Sequence, residues 1–347
     1  MGLSICFDGI PKGKRNLITD VPGVLVGHKT LSCGDIQTGV TAVLPHGGNL
    51  FQEKVPAAVH VINGFGKTAG SIQIEELGTL ETPILLTNTL SVGDVSSALV
   101  RYMLERNPDI GLTTGTVNPL VLECNDGELN DIRGQHVREE DVREALGSAS
   151  ADFEEGAVGA GRGMVCCQMK GGIGSSSRVL HFSGREYHVG ALVLSNFGSL
   201  RDLVIAGRFV GPSLAADMDM EEDTGSIIVL LATDIPMSAR QLKRLCRRAS
   251  VGISRTGGHI GNGSGEIAAA FTTANRIPHY EKEDILPMAV LAEKNMNQVF
   301  RAAIGAVEEA VISSMLHAEP VRGRAGNFRD SLANWVRQED FPPACKG

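Results

Sequence analysis

The chain has 347 residues, 21% of them charged, and a net charge of -8, an acidic balance that argues against a general nucleic-acid binder. It holds 42 glycines against 4% aromatic residues, which points to a sheet-rich α/β fold with backbone-lined sites, and no stretch of 18 apolar residues is present to span a membrane. Its seven cysteines form no C-x-x-C pair, and the N-terminus carries no basic or apolar leader; together these set the expectation of reduced thiols in a cytoplasmic protein.

In chain order, Val21 to His28 and Thr38 to Pro45 read as short strands joined by glycine turns, and Ala57 to Ile62 as a third. The loop Asn63-Gly64-Phe65-Gly66-Lys67-Thr68 follows and opens a helix over 71–77. It resembles a phosphate loop but lacks the first glycine at the required spacing, because position 61 is Val. Thr82 to Asn88 is a strand, and Val92 to Arg106 a helix whose stripe is Val95, Ala98, Leu99, Tyr102 and Met103. Leu122 to Asp131 holds four carboxylates around one glycine; it is either a turn bonding its own backbone or a site for a cation or amine, and spacing alone favours the turn.

A charged helix covers 138–147. Met164 to Met169 reads as a strand, and Lys170 to Ser177 as a glycine-rich hairpin rather than a phosphate site. Gly190 to Gly198 is a buried strand ending at Asn196, whose amide is either a structural clamp or an anion donor. An acidic run, 217–223, leads through Thr224-Gly225 into Ser226 and five large apolar residues, the pattern of a fully buried strand. Ser238 caps a helix running to about Ala249, whose basic face, Arg240, Lys243, Arg244, Arg247 and Arg248, reads as a solvated surface or one that pairs with acids of a neighbouring subunit. Gly257 to Phe271 delivers Ser264 and Glu266, at i and i+2 on one face, to the mouth of another buried strand. A long helix through Phe300 and Met315 stops before Pro320, and the tail past Arg322, with Trp335, reads as loosely attached.

No H-E-x-x-H, Cys/His cluster, G-x-S-x-G or dinucleotide fingerprint is present. What remains is Asn196, Ser226 and the Ser264/Glu266 pair, each at the edge of a buried strand. A serine hydroxyl is a poor nucleophile without a base. Cleavage between Gly225 and Ser226 would supply one, the serine's own α-amine, with a pKa of about 7.7–8.0. The competing reading is an ordinary strand entered through an acidic loop.

At these residues the chain resembles the S58 peptidase family, which holds L-aminopeptidase/D-esterase and the β-peptidyl aminopeptidases and shares a fold with ornithine acetyltransferase. The resemblance runs over nearly the whole chain. It includes Leu17-Ile18-Thr19-Asp20-Val21-Pro22-Gly23-Val24, Val61-Ile62-Asn63-Gly64-Phe65-Gly66-Lys67, Glu123-Cys124-Asn125-Asp126-Gly127, Lys170-Gly171-Gly172-Ile173-Gly174 and Ser264-Gly265-Glu266-Ile267.

The resemblance implies a four-layer α-β-β-α sandwich of the self-processing N-terminal-nucleophile type, one peptidase domain over 1–347 cut into 1–225 and 226–347, and assembly as a homotetramer. It implies Ser226 as nucleophile, Ser264 and Glu266 as the groups that orient its amine and hydroxyl, and Asn196 as oxyanion donor. It also assigns Glu123 to the substrate's free amino group, which replaces the turn reading for that residue. The expected substrates are short peptides, aminoacyl amides or esters, with no metal, no organic cofactor, no nucleic acid and no membrane. Relatives often carry an aromatic residue near the Glu123 turn; residues 123–132 have none, which leaves α- versus β-amino acid preference open. The alternatives are acyl transfer of the ornithine acetyltransferase type, a non-catalytic binding protein on the same fold, and nucleotide binding at Gly64 to Lys67 or Lys170 to Ser177.

Overall fold

A computed structural model describes residues 5–214 and 225–341; the acidic run 217–223 lies outside the described residues. The first half contains β1 (Leu25–Cys33), β2 (Ile36–Leu44), β3 (Glu53–Gly64), α1 (Ser71–Leu77), β4 (Thr79–Leu80), β5 (Ile84–Asn88), α2 (Val92–Arg106), β6 (Leu120–Cys124) and α3 (Glu139–Gly147). There follow the short β7 (Val165–Cys166) and β8 (Met169–Lys170), then β9 (Gly172–Phe182), β10 (Arg185–Asn196), β11 (Val204–Ile205), β12 (Arg208–Phe209) and α4 (Gly211–Leu214). The last part holds β13 (Ser226–Thr233), α5 (Ala239–Cys246), α6 (Ala249–Arg255), β14 (Gly265–Thr272), β15 (Ile277–Pro278), α7 (Met296–Leu316), β16 (Val321–Arg322) and β17 (Phe328–Arg329).

The fold is mixed α/β with several sheets. One sheet runs β1-β2-β5-β6; a larger one runs β15-β3-β14-β13-β10-β9, with β4 added to β3. β13 shows why a continuous apolar run becomes a strand here. Ile227, Val229 and Leu231 enter a core shared with α5, α6 and α7, while Ile228, Leu230 and Ala232 enter one shared with β1, β2, β5 and β6. Both faces are covered, so no position needs a polar side chain. A third core joins the outer face of the smaller sheet, through Val40, Ala42, Leu85 and Val121, to α2 and α3.

Several expectations change. The 164–169 segment is a tight hairpin, reversed at Cys167 and Gln168 with φ of 49° and 59°. Lys170 to Ser177 is no hairpin but the entry to β9, which turns only at Ser183-Gly184. Its hydroxyls serve the chain: Ser175 Oγ donates to the Ala191 carbonyl (2.7 Å) and Ser177 Oγ to Asp20 (2.6 Å), so they form no phosphate cradle. The capping box at Ser238/Gln241 holds α5, but the helix ends at Cys246 and α6 follows. Its basic face pairs within the chain, Arg240 and Arg244 with Glu293 and Lys243 with Glu75. The tail is docked: Leu332, Val336 and Phe341 are buried in the core with α7. Cys6 is disulfide-bonded, which corrects the expectation of uniformly reduced thiols. Among the described residues no helix is long and apolar enough to cross a membrane.

Two buried polar groups anchor the frame. Arg178, wholly buried on β9, pairs with Asp8 and with Glu309 of α7, each at 2.9 Å. Removing one partner of a buried pair strands the others, so Arg178→Met is expected to cost about 3–5 kcal/mol, read as a lowered midpoint in denaturant unfolding. Asp126, just after β6, accepts from Asn130 Nδ2 (2.9 Å). Burial pushes its pKa up to about 7 from the ordinary 3.8, against hydrogen bonding from Thr38 and Asn130. An unfolded chain releases this proton near pH 4 and the folded chain holds it to about pH 7, so its contribution is full below about pH 4 and is lost as pH rises through about 7. Asp126→Asn should therefore gain melting temperature relative to wild type as pH rises from 5 to 8; parallel curves would refute the assignment.

Candidate active site

Three strand ends meet at one point of the larger sheet. Asn196, the last residue of β10, pairs antiparallel with Ser226, the first of β13. Ser226 in turn pairs in parallel with Gly265, the first of β14. β14 is bordered by β3, where Gly265 pairs with Gly64 and a bulge falls between Glu266 and Ile267. Ser226, Asn196, Ser264 and Glu266 are all buried. Gly225 lies directly before this junction. Its carbonyl accepts the Gly265 N–H at 3.3 Å, and a Cβ on it would stand 2.0 Å from the Asn196 carbonyl oxygen, so only glycine fits.

The Asn196 amide is held at both ends by backbone. Its Oδ1 accepts the Val165 N–H (2.9 Å), and its Nδ2 donates to the Asn125 carbonyl (3.0 Å). An amide nitrogen has two hydrogens, so one stays assignable to another acceptor. The clamp and donor readings of this residue are thus compatible. Asn125 follows Glu123 and Cys124 at the end of β6, which brings the smaller sheet under the site. Cys124 is buried against the Ser226 hydroxyl; burial pushes its thiol pKa well up, the Glu123 charge adds to that, and hydrogen bonds from Ser226 and Ile228 oppose it.

Glu123 points to the loop between β3 and α1. Its Oε1 accepts the Lys67 N–H at 2.8 Å, and its Oε2 takes a short hydrogen bond from Thr89. A Cβ on Gly66 would lie 3.4 Å from both Glu123 Oε1 and Ile267 Cδ1, so carboxylate and β14 flank the same loop. The loop that tempted a phosphate reading spends its Lys67 N–H on this carboxylate. The neighbouring turn reading also holds, since Asn125 Oδ1 accepts the Gly127 N–H (2.9 Å).

Ser264 and Glu266 do share one face: the hydroxyl forms a short hydrogen bond with Glu266 Oε1 and lies 2.7 Å from the Gly261 carbonyl. Asn63 staples this loop from β3, its Nδ2 donating to the carbonyls of Ser264 (2.5 Å) and Gly261 (2.9 Å). Thus the structure gathers Asn196, Gly225, Ser226, Ser264, Glu266 and Glu123 around one strand mouth. Sequence reasoning missed Cys124, Asn63, Thr89 and the Val165 N–H. The only signal for Asn63 was an amide at a strand end before a glycine loop, the same signal that singled out Asn196. Among the described residues no group of three or more His, Cys, Asp or Glu is arranged to hold a metal ion.

Comparisons with known proteins identify the family of the chain. The model of peptidase family S58 matches residues 16–329. A β-peptidyl aminopeptidase, BapA, from Sphingosinicella microcystinivorans is 38% identical over 93% of this chain and 87% of its own length. Among solved structures, the PH0078 protein of Pyrococcus horikoshii is 52% identical with a TM-score of 0.91, covering 98% of this chain and 95% of that one. The L-aminopeptidase D-Ala-esterase/amidase of Ochrobactrum anthropi, described as a prototype of the serine aminopeptidases and a variant of the Ntn hydrolase fold, is 38% identical with a TM-score of 0.87, covering 95% and 94%. Matched over most of its length and aligned nearly end to end with these relatives, the chain belongs to peptidase family S58.

Proposed function

We propose that the protein is a self-processing serine aminopeptidase that releases N-terminal residues from short peptides, aminoacyl amides or esters through an acyl-enzyme on Ser226. The observation that carries this reading is the register: Ser226 stands between Asn196 and Gly265, with Ser264 and Glu266 flanking Gly265 and a glycine carbonyl immediately upstream. The fold proposed with it is a four-layer α-β-β-α sandwich, one domain over 1–347 that becomes 1–225 and 226–347. The resemblance extends the proposal to a homotetramer.

Self-cleavage begins with attack of Ser226 Oγ on the Gly225 carbonyl carbon. The C–N bond breaks, the hydroxyl proton ends on the departing nitrogen, and Gly225 is left as an ester on Oγ. Water hydrolyses that ester to a Gly225 carboxylate and frees the hydroxyl beside a new α-amine. The Gly265 N–H, already on the Gly225 carbonyl, suits the oxyanion of this step. In turnover, Glu123 receives the substrate's ammonium, Ser226 Oγ attacks the carbonyl, the α-amine takes the proton, and Asn196 Nδ2 donates to the oxyanion. Ser264 and Glu266 orient the hydroxyl and amine. The leaving amine or alcohol departs with a proton, and water releases the acyl group. Loss of one such oxyanion donor typically costs about 10²–10³ in kcat.

Three outcomes are expected. Intact mass under denaturing conditions should give two chains split at Gly225, and Ser226→Ala a folded, uncut and inactive chain; an active full-length species would sink the mechanism. Glu123→Gln should raise KM for substrates with a free amino terminus by about tenfold or more while the protein still processes itself, since losing a hydrogen bond to a charged group costs about 1.5–3 kcal/mol. An unchanged KM would remove Glu123 from the site. A panel of L-, D- and β-aminoacyl amides assigns the preference.

A further inference from the structure

Lys170 is wholly buried at the end of the β7–β8 hairpin, where its Nζ donates to three backbone carbonyls: Gly161 (2.9 Å), Met164 (2.6 Å) and Gly171 (2.6 Å). Burial, and after it the Arg162 charge, push the pKa of this amine well down, whereas three carbonyl acceptors match the three N–H groups of its protonated form and oppose that shift. A methionine would fill similar volume, so the donors are what this position adds. The hairpin needs such a staple. Its turn puts two non-glycine residues, Cys167 and Gln168, in the left-handed region, which is strained for residues with a side chain.

The hairpin lies on the last residues of β10. Cys167 donates its N–H to the Phe197 carbonyl (2.8 Å), and a Cβ on Gly171 would come within 2.5 Å of the Ser195 carbonyl. Between these contacts, at the foot of β7, the Val165 N–H reaches Asn196 Oδ1. Met164, whose carbonyl Lys170 holds, is the residue directly before that N–H. The path from Nζ to the Asn196 amide is therefore two hydrogen bonds joined by the single Met164–Val165 peptide unit.

We propose that Lys170 is a positioning residue for the reaction: by tying the Gly161, Met164 and Gly171 carbonyls together it aims the Val165 N–H at Asn196 Oδ1 and so fixes the orientation of Nδ2. The inference rests on the reading of Asn196 as oxyanion donor given above. It predicts a loss in the chemical step without a loss in substrate binding, because Glu123 is held by a different loop.

The test is a double-mutant cycle of Lys170→Met and Asn196→Ala, assayed on an aminoacyl p-nitroanilide, with kcat expressed per Ser226 amino terminus counted by intact mass. Lys170→Met should lower kcat at least tenfold with KM within about threefold, and the double variant should be no slower than Asn196→Ala alone. Wild-type kcat in Lys170→Met, a loss confined to KM, or a double variant whose loss is the product of the two singles would overturn the proposal. If Asn196→Ala keeps wild-type kcat, the oxyanion reading falls and takes this one with it. If Lys170→Met fails to fold, Lys170→Gln, which has two N–H groups on a shorter stem, carries the same test: a smaller loss restricted to kcat is expected, and wild-type kcat overturns the proposal.

Discussion

A carbonyl oxygen at Asn196 occupies the space that any side chain on residue 225 would need. That close approach clamps the chain entering β13 against the end of β10, so that Ser226 begins its strand opposite Asn196 and beside Gly265. A slip of one residue would turn Ser226 toward the opposite core and put Ile227 at the mouth. The two apolar cores on either face of β13 make such a slip costly, because every residue from Ile227 to Ala232 would change sides.

Around this fixed register the polar groups are held by backbone more than by one another. Asn196 is gripped by an N–H and a carbonyl, Glu123 by the Lys67 N–H and the Thr89 hydroxyl, and the Ser264 loop by Asn63. Backbone partners on packed strands and short loops have little rotamer freedom, which is what preorganised electrostatics requires. The abundance of glycine follows from the same design, since chain segments must pass at van der Waals distance to supply those partners. Gly171 against Ser195 and Gly225 against Asn196 are two instances.

Much of the frame was legible in local pattern. The helix over 92–106 matches its periodicity, the helix expected after the glycine loop spans 71–77, and the strand expected to end at Asn196 ends there, although it begins earlier, at Arg185. The Ser264/Glu266 alternation correctly put both side chains on one face. Less legible was what depends on distant partners. The 164–169 hairpin turns at Cys167 and Gln168, residues with no turn signature, because Lys170 and β10 impose the reversal. The docked tail carries too few apolar residues to announce burial by itself. Cys124 fell in a segment read as a turn; it ends β6, and only the packing of the two sheets brings it under Ser226. The nomination of Glu123 came from family resemblance; its carboxylate spacing alone had suggested a turn.

The order of strands in the larger sheet bears on what the proposed opening of the chain at Gly225 would do. β13 and β14 belong to the later piece yet lie between β3 and β10 of the earlier one, and β15 returns to the outer side of β3. The Asp8–Arg178–Glu309 cluster stitches the same two pieces a second time, far from the strand mouth. Neither piece then owns a complete core, so they are interleaved rather than docked, and separating them means dismantling the sheet. Unfolding of an opened protomer would become a dissociation and its refolding a bimolecular encounter, which adds a dependence on protein concentration that the fold of a continuous protomer lacks.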